Sequence, residues 1–214
     1  MNKRNIELLV WSLIVLGMGA IILGIYAVVA TPKTTDGSAL LVPVAATDWK
    51  RGDANAKAVL VEYSDLQCPA CRYYYGMLKQ LEKEEGGKVQ IVYRHFPLQQ
   101  HQFAKVAAIA AEAAGKQGKF WEMHDLLFER QDEWSKSENI GQSLVEYATQ
   151  LGLNIGQFQT DEQSPELADK IAKSIAEVTA QKLQGTPTFF LNGKRAEFRS
   201  YEDMKTAVEK AING

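Results

Sequence analysis

The sequence predicts an α/β domain that follows a single membrane-spanning helix. Three observations lead to this prediction: an uncharged apolar run at residues 8–30, a strand–helix–strand pattern at residues 58–94, and a Cys-x-x-Cys motif where the helix of that pattern begins. Because parallel strands need a crossover connection, the strand–helix–strand pattern places both strands in one parallel sheet.

The composition of the 214 residues, with 46% hydrophobic and 23% charged, excludes a disordered, collagenous or low-complexity chain. The formal net charge is −2, so we expect no nucleic-acid partner, which would require a clustered positive surface. Only two cysteines are present, Cys68 and Cys71, which excludes a fold built on several structural disulfides.

The amino-terminal segment predicts a membrane anchor. Residues 8–30 carry no charge and follow Lys3 and Arg4. As a helix this run would span about 34 Å, enough to cross the hydrocarbon core of a bilayer. The basic residues ahead of it predict a cytoplasmic stub at residues 1–7 and a single-pass cell-membrane protein whose remaining chain is extracytoplasmic, on the periplasmic or cell-wall side.

A signal peptide, cleaved or left uncleaved, is the alternative for this segment, because residues 28–30 (Val-Val-Ala) have the small side chains of a cleavage site. The run is longer than the roughly 7–15 apolar residues of a signal, which favours an anchor in contact with membrane lipid. Under both interpretations the domain faces an oxidising compartment.

Residues 31–47 are interpreted as a linker, because Thr, Pro, Gly and Ser dominate its first half. Alternatively, residues 40–44 form a short strand that packs on the domain. The domain itself is predicted at residues 48–214.

Short apolar and helical patterns define the first half of this domain. Residues 58–63 and 89–94 are apolar runs typical of buried strands. Between them, residues 73–84 are predicted to be helical, and Gly86 with Gly87 ends that helix.

A long helical stretch follows and leads into a hairpin. Residues 103–114 are apolar on nearly every side, as in a buried helix, and Ser164 with Pro165 begins another helix. Residues 188–198 predict a hairpin around Asn192-Gly193, and residues 201–212 a last helix.

The Cys68-Pro69-Ala70-Cys71 motif is the candidate active site. Two cysteines two residues apart, after a buried strand and at the start of a helix, are typical of reversible dithiol chemistry. With Cys68 at the helix cap and Pro69 at the first helical position, unpaired backbone N–H groups and the helix dipole favour a thiolate at Cys68. Cys71, one turn further, is expected to be more shielded.

An inert disulfide or half of a zinc site are the alternatives for this motif. A disulfide across four residues closes too short a loop to stabilise the fold substantially. A zinc site would need two further ligands, for which His95, His101 and His124 are the only imidazoles. Because no second cysteine pair or close histidine pair is present, we expect no metal and no cofactor beyond the redox-active disulfide.

Four segments, in this order, resemble motifs of the DsbA-like thiol:disulfide oxidoreductases, which are thioredoxin-fold proteins of the bacterial cell envelope. They are residues 62–71 (EYSDLQCPAC), 93–98 (YRHFPL), 117–124 (QGKFWEMH) and 185–193 (GTPTFFLNG). The resemblance covers the chain from about residue 48 onwards and implies a membrane-anchored thioredoxin fold with a helical insertion at about residues 100–183.

The resemblance also implies roles for individual residues. Cys68 corresponds to the exposed nucleophile and Cys71 to the resolving thiol. Pro187 corresponds to the cis-proline beside the disulfide; on sequence alone a cis bond is a minority state, and the alternative for Thr186-Pro187 is a plain turn before a strand. Glu62 corresponds to a buried acid that relays the Cys71 proton, with a solvent-reaching Glu at the strand edge as the alternative. Contacts with substrate are implied for three residues of these motifs, Pro69, Ala70 and Thr186.

The function implied by the resemblance is the introduction of disulfides into unfolded exported proteins. The implied partner is a membrane protein of the DsbB or vitamin K epoxide reductase type, which re-oxidises the cysteine pair. A disulfide reductase or isomerase, or a non-catalytic peptide-binding module on the same fold, are the alternatives. Because Ala70 offers no side-chain donor, we expect a weaker oxidant than relatives with a His beside the second cysteine.

Overall fold

The computed structural model describes residues 17–18 and 38–214. The strands of its domain are β1 (Trp49–Arg51), β2 (Ala58–Ser64), β3 (Val89–His95), β4 (Thr188–Leu191) and β5 (Lys194–Ala196). The helices are α1 (Pro69–Glu85), α2 (Ala104–Lys116), α3 (Phe120–Glu129), α4 (Gln131–Trp134), α5 (Ile140–Gln150), α6 (Ile155–Glu162), α7 (Pro165–Ala180) and α8 (Tyr201–Asn213). A 3-10 turn at Gly86–Lys88 joins α1 to β3.

The five strands form one sheet in the order β1-β3-β2-β4-β5. The central strand β2 pairs in parallel with β3, as the strand–helix–strand pattern predicts, and antiparallel with β4. Strands β4 and β5 form the predicted hairpin. Six of the seven β2 side chains are buried, because apolar layers cover both faces of this strand.

Helices α2 to α7 form the helical insertion between β3 and β4 that the resemblance implies. Their apolar side chains make one cluster with Cys68, Cys71 and Leu66 from the loop and helix that follow β2. The insertion therefore shares its core with the segment that carries the two cysteines. The helix predicted at Ser164 begins as expected, with the Ser164 hydroxyl accepting a hydrogen bond from the Leu167 N–H.

Strand β1, which sequence patterning did not predict, joins the sheet edge to the insertion. The Trp49 ring stacks on Phe120 with 4.1 Å between ring centroids, and its indole N–H donates to Glu112. A Cβ atom at Gly115 would lie 2.5 Å from the Trp49 ring, so only glycine permits this approach.

Residues 38–47, which the sequence assigns to the linker, lie against the domain where the structure describes them. Ala39 bridges to Lys194 of β5, and the buried Gln181 side chain binds the backbone of both Ala39 and Leu41. Leu40 and Val44 pack on the apolar cluster around β2. This part of the chain is a docked segment.

The chain divides into two compact units, residues 1–35 and 36–214. Of the first unit only residues 17 and 18 are described, and both are helical. Among residues 17–18 and 38–214, no helix has the length and apolar character needed to cross a bilayer. The predicted stub at residues 1–7 and the span at residues 8–30, except those two positions, lie outside the described part.

Candidate active site

Cys68 lies at the N-terminus of α1, directly beyond the carboxyl end of the central strand β2. Its backbone is extended (φ −76°, ψ 123°), and Pro69 occupies the first helical position, as expected. The resemblance implies an exposed nucleophile; the Cys68 residue is 6% exposed, more than Cys71, which is fully buried. Cys68 belongs to the apolar cluster that the insertion forms, and its sulfur contacts the Thr186 carbonyl of the loop before β4.

The surroundings of Cys68 stabilise its thiolate. Four donors lower its pKa from 9.0 to about 5, the largest effect being the hydrogen bond from the Cys71 thiol, followed by Thr186 and the backbone N–H groups of Cys71 and Ala70. Burial opposes this shift but is outweighed. The helix N-terminus therefore acts together with two side chains, as required for a shift larger than a helix dipole alone provides.

Cys71 is fully buried one turn further along α1. Burial, first of all, raises the pKa of its thiol well above 9.0, and hydrogen bonding to Cys68 and the charge of Glu62 raise it further. The Asp65 N–H lies 3.5 Å from the Cys71 sulfur and donates to it. No disulfide joins Cys68 to Cys71, so the structure describes the reduced pair.

The loop before β4 brings Thr186 and Pro187 to Cys68. The peptide bond between them is cis, as the resemblance implies. The Cys68 thiol lies 3.7 Å from the Thr186 carbonyl oxygen and donates to it. The Thr186 hydroxyl is buried without a hydrogen-bond partner among the described residues, which leaves it free to donate to the Cys68 thiolate.

Glu62 lies on the central strand and is 2% exposed, which excludes the alternative of a strand-edge carboxyl reaching solvent. Its Oε1 atom has no hydrogen-bond partner in the described part of the chain. Burial, the largest effect, raises the pKa of Glu62 from 4.5 to about 7. A cavity of about 10 Å³, the size of one water molecule, lies between Glu62, Tyr93 and His124.

Two further residues shape the site, and sequence reasoning did not single them out. The buried Asp65 carboxylate accepts hydrogen bonds from the Gln67 and Leu98 N–H groups and contacts His101 Nδ1 at 2.7 Å. It thereby joins the loop before Cys68 to the loop after β3. The buried Gln131 amide contacts the same cysteine loop from the insertion. Both residues are polar positions without a spacing signal, so only the folded chain reveals them.

The three histidines do not converge on the cysteines. His95 and His124 are buried among aromatic rings, and burial lowers the pKa of His124 to about 4. In the part of the chain that the structure describes, His, Cys, Asp and Glu side chains form no group of three or more that could hold a metal ion.

Comparisons with known proteins agree with this geometry. Residues 45–210 match a family model described as Thioredoxin, and the match includes Glu62, Cys68, Cys71 and Pro187. A thioredoxin-like oxidoreductase from Silicibacter pomeroyi is 27% identical, with a TM-score of 0.67 over 79% of this chain and 95% of that one. DsbA2 from Pseudomonas aeruginosa is 26% identical, with a TM-score of 0.62 over 80% of this chain and 96% of that one.

A curated relative has a name of a different kind. The Na(+)/H(+) antiporter NhaA 1 of Salinispora arenicola is 38% identical over 179 residues, which are 82% of this chain and 26% of the antiporter. The chain spans about a quarter of the length of the curated relatives it matches. The similarity is therefore confined to a limited part of those proteins.

Proposed function

Because this chain belongs to the thioredoxin family, we propose that it is an extracytoplasmic thiol:disulfide oxidoreductase that introduces disulfides into exported proteins. The observation that carries the proposal is the opposite acidity of two neighbouring sulfurs, since the pKa of Cys68 is lowered to about 5 and that of Cys71 is raised. Such a pair contains one good leaving group and one thiol that stays protonated. The fold shared with DsbA2 and the Silicibacter oxidoreductase supports the same reaction class.

The reaction begins with Cys68 and Cys71 joined in a disulfide. A substrate thiolate attacks the Cys68 sulfur, the bond between the two cysteine sulfurs breaks, and Cys71 leaves with the electron pair and takes up a proton. A second thiolate of the substrate then attacks the substrate sulfur of the mixed disulfide, and Cys68 leaves as a thiolate. The substrate has lost two electrons and two protons, and the cysteine pair has been reduced.

Glu62 is suited to supply the proton that Cys71 needs in the first step. With a pKa of about 7, its carboxyl is about half protonated at neutral pH, and its charge acts on the Cys71 thiol. The adjacent 10 Å³ cavity, which Glu62 lines, has room for one water molecule with which the carboxyl can exchange its own proton. We propose that the substrate contacts the exposed Pro69 and Ala70, which follow Cys68 in the chain, and Thr186 with Pro187, in the loop whose Thr186 carbonyl contacts the Cys68 sulfur.

The proposed location is the outer side of the cell membrane, with residues 8–30 as the anchor. The uncharged run behind Lys3 and Arg4 supports this, as do relatives named for ion exchange, a process that takes place across membranes. The proposed partner is a membrane protein of the DsbB or vitamin K epoxide reductase type, which would re-oxidise the cysteine pair. The anchor would hold the domain near this partner and so raise the effective concentration of each protein for the other.

Oxidation of a reduced, unfolded model protein by the full-length oxidised chain tests this function. We expect rapid loss of substrate thiols with the wild type and only the uncatalysed rate with Cys68→Ala. Equally slow oxidation by the wild type and by Cys68→Ala would favour the alternative of a non-catalytic peptide-binding module. Cys71→Ala is the matched control, since with an oxidised substrate it should trap a mixed disulfide on Cys68. Equilibration with glutathione then separates an oxidase from a reductase or isomerase, and also tests the expectation of a weaker oxidant.

A further inference from the structure

Gln131 forms a buried contact between the helical insertion and the backbone of the cysteine motif. It is the first residue of the four-residue helix α4 and is 3% exposed. Its Nε2 atom lies 2.8 Å from the Leu66 carbonyl oxygen and 3.0 Å from the Cys68 carbonyl oxygen. Both hydrogens of the amide group are used, and both partners are more than sixty positions away in the chain.

The orientation of this amide follows from its partners. Carbonyl oxygens only accept hydrogen bonds, so the side-chain atom that faces two of them must be the NH₂ group. Besides the bond from Gln131, the Cys68 carbonyl accepts the first backbone hydrogen bond of α1 from the Arg72 N–H at 3.1 Å. Gln131 therefore fixes the direction of the peptide group that follows Cys68.

That direction decides where the thiolate donors point. The Cys68 sulfur accepts from the backbone N–H groups of Ala70 and Cys71, which lie immediately after the peptide group held by Gln131. Carbonyl oxygens carry partial negative charge and destabilise a nearby thiolate unless a donor offsets that charge. Gln131 offsets it at two carbonyls at once, in a buried site where such bonds are stronger than in water.

We propose that Gln131 is a positioning residue for the redox reaction: it sets the acidity of Cys68 by holding the Leu66 and Cys68 carbonyl groups from the insertion side. The proposal rests on the proposed function of Cys68. It assigns the insertion a role in the chemistry, because the amide that orients the helix N-terminus belongs to α4.

The test compares three full-length reduced proteins: wild type, Gln131→Met and Gln117→Met. Methionine keeps the approximate shape of glutamine and removes the donor. Gln117 is the matched control, since its amide also binds backbone at two atoms, the N–H and the carbonyl of Asn154, entirely within the insertion. Alkylation rates with iodoacetamide from pH 3 to 9 give the pKa of Cys68 in each protein, and urea titration gives each stability.

We expect Gln131→Met to raise the pKa of Cys68, so that alkylation at pH 4 slows about fivefold relative to wild type. The glutathione equilibrium should shift toward a less oxidising pair. Gln117→Met should lower the free energy of unfolding and leave the pH dependence of Cys68 alkylation unchanged. Should Gln131→Met fail to fold, Gln131→Asn, whose shorter side chain cannot reach both carbonyls, is expected to raise the pKa in the same direction.

An alkylation profile of folded Gln131→Met, or of Gln131→Asn, that coincides with the wild-type profile would overturn the proposal and leave Gln131 as a structural contact only. A wild-type alkylation profile with its midpoint near pH 9 would instead contradict the proposed function of Cys68 itself. The two failures are therefore distinguishable in one experiment.

Discussion

Replacement of Glu62 by Gln should stabilise the protein in a strongly pH-dependent way. Glu62 is buried with one carboxyl oxygen unpartnered among the described residues, and its pKa is raised from 4.5 to about 7. In the unfolded chain the same carboxyl ionises at its ordinary pKa. The folded state therefore holds a proton that the unfolded state releases between these two values, and stability falls as the pH rises through this window.

The size of the effect follows from the two pKa values. A displacement from 4.5 to about 7 corresponds to about 3 kcal/mol, since one pKa unit is about 1.4 kcal/mol. Below pH 4.5 the carboxyl is protonated in both states and contributes nothing. Above pH 7 the full penalty of about 3 kcal/mol is present in wild type and absent in Glu62→Gln.

Urea titrations of the oxidised proteins at pH 4.5 and pH 9 measure this difference. The oxidised form is chosen because the cysteines then do not titrate, whereas burial, the main cause of the raised pKa of Glu62, persists. We expect the advantage of Glu62→Gln over wild type to grow by about 3 kcal/mol between the two pH values. The exposed Glu197, replaced by Gln, provides the baseline. An advantage that is the same at both pH values would refute the reasoning.

Two further predictions concern Cys68 and Arg94. The alkylation rate of Cys68 should be half-maximal near pH 5. Thr186→Val removes a hydroxyl that donates to the thiolate and should slow alkylation at pH 4 by at least about threefold. An unchanged rate would exclude that hydrogen bond. Arg94→Met should lower the free energy of unfolding by about 3–5 kcal/mol, because buried Arg94 binds the Asp48 and Glu177 carboxylates, and a loss below about 1 kcal/mol in urea titrations would contradict this.

The sequence predicts most of the sheet and the cysteine motif because these features depend on local patterns. Parallel pairing of β2 with β3 follows from a strand–helix–strand pattern, and the Asn192-Gly193 turn predicts the β4–β5 hairpin. Strand β1 and helix α4, with three and four residues, are too short to give a periodic signal. Neither element could be predicted without its partners.

The sequence predicts residues of the candidate site only where they belong to a recognisable motif. Glu62 alternates with apolar neighbours, which fits either a buried or a solvent-reaching carboxyl, and only the cover on both faces of β2 decides between them. Gln131 stands in the charged run Glu129–Glu133, where a surface position is the natural expectation. Its burial depends on the insertion folding back over the cysteine loop, which no local pattern encodes.

The high pKa of Cys71 has a consequence for the lifetime of the mixed disulfide. In the proposed reaction, burial, the largest cause of this shift, also acts on Cys71 in the mixed disulfide, so Cys71 stays protonated, attacks the Cys68–substrate bond slowly, and does not eject an incompletely oxidised substrate at once. A long polypeptide thus gains dwell time in which chain diffusion can deliver its second cysteine. Under the proposed function, this slow release favours substrates whose paired cysteines are far apart in sequence.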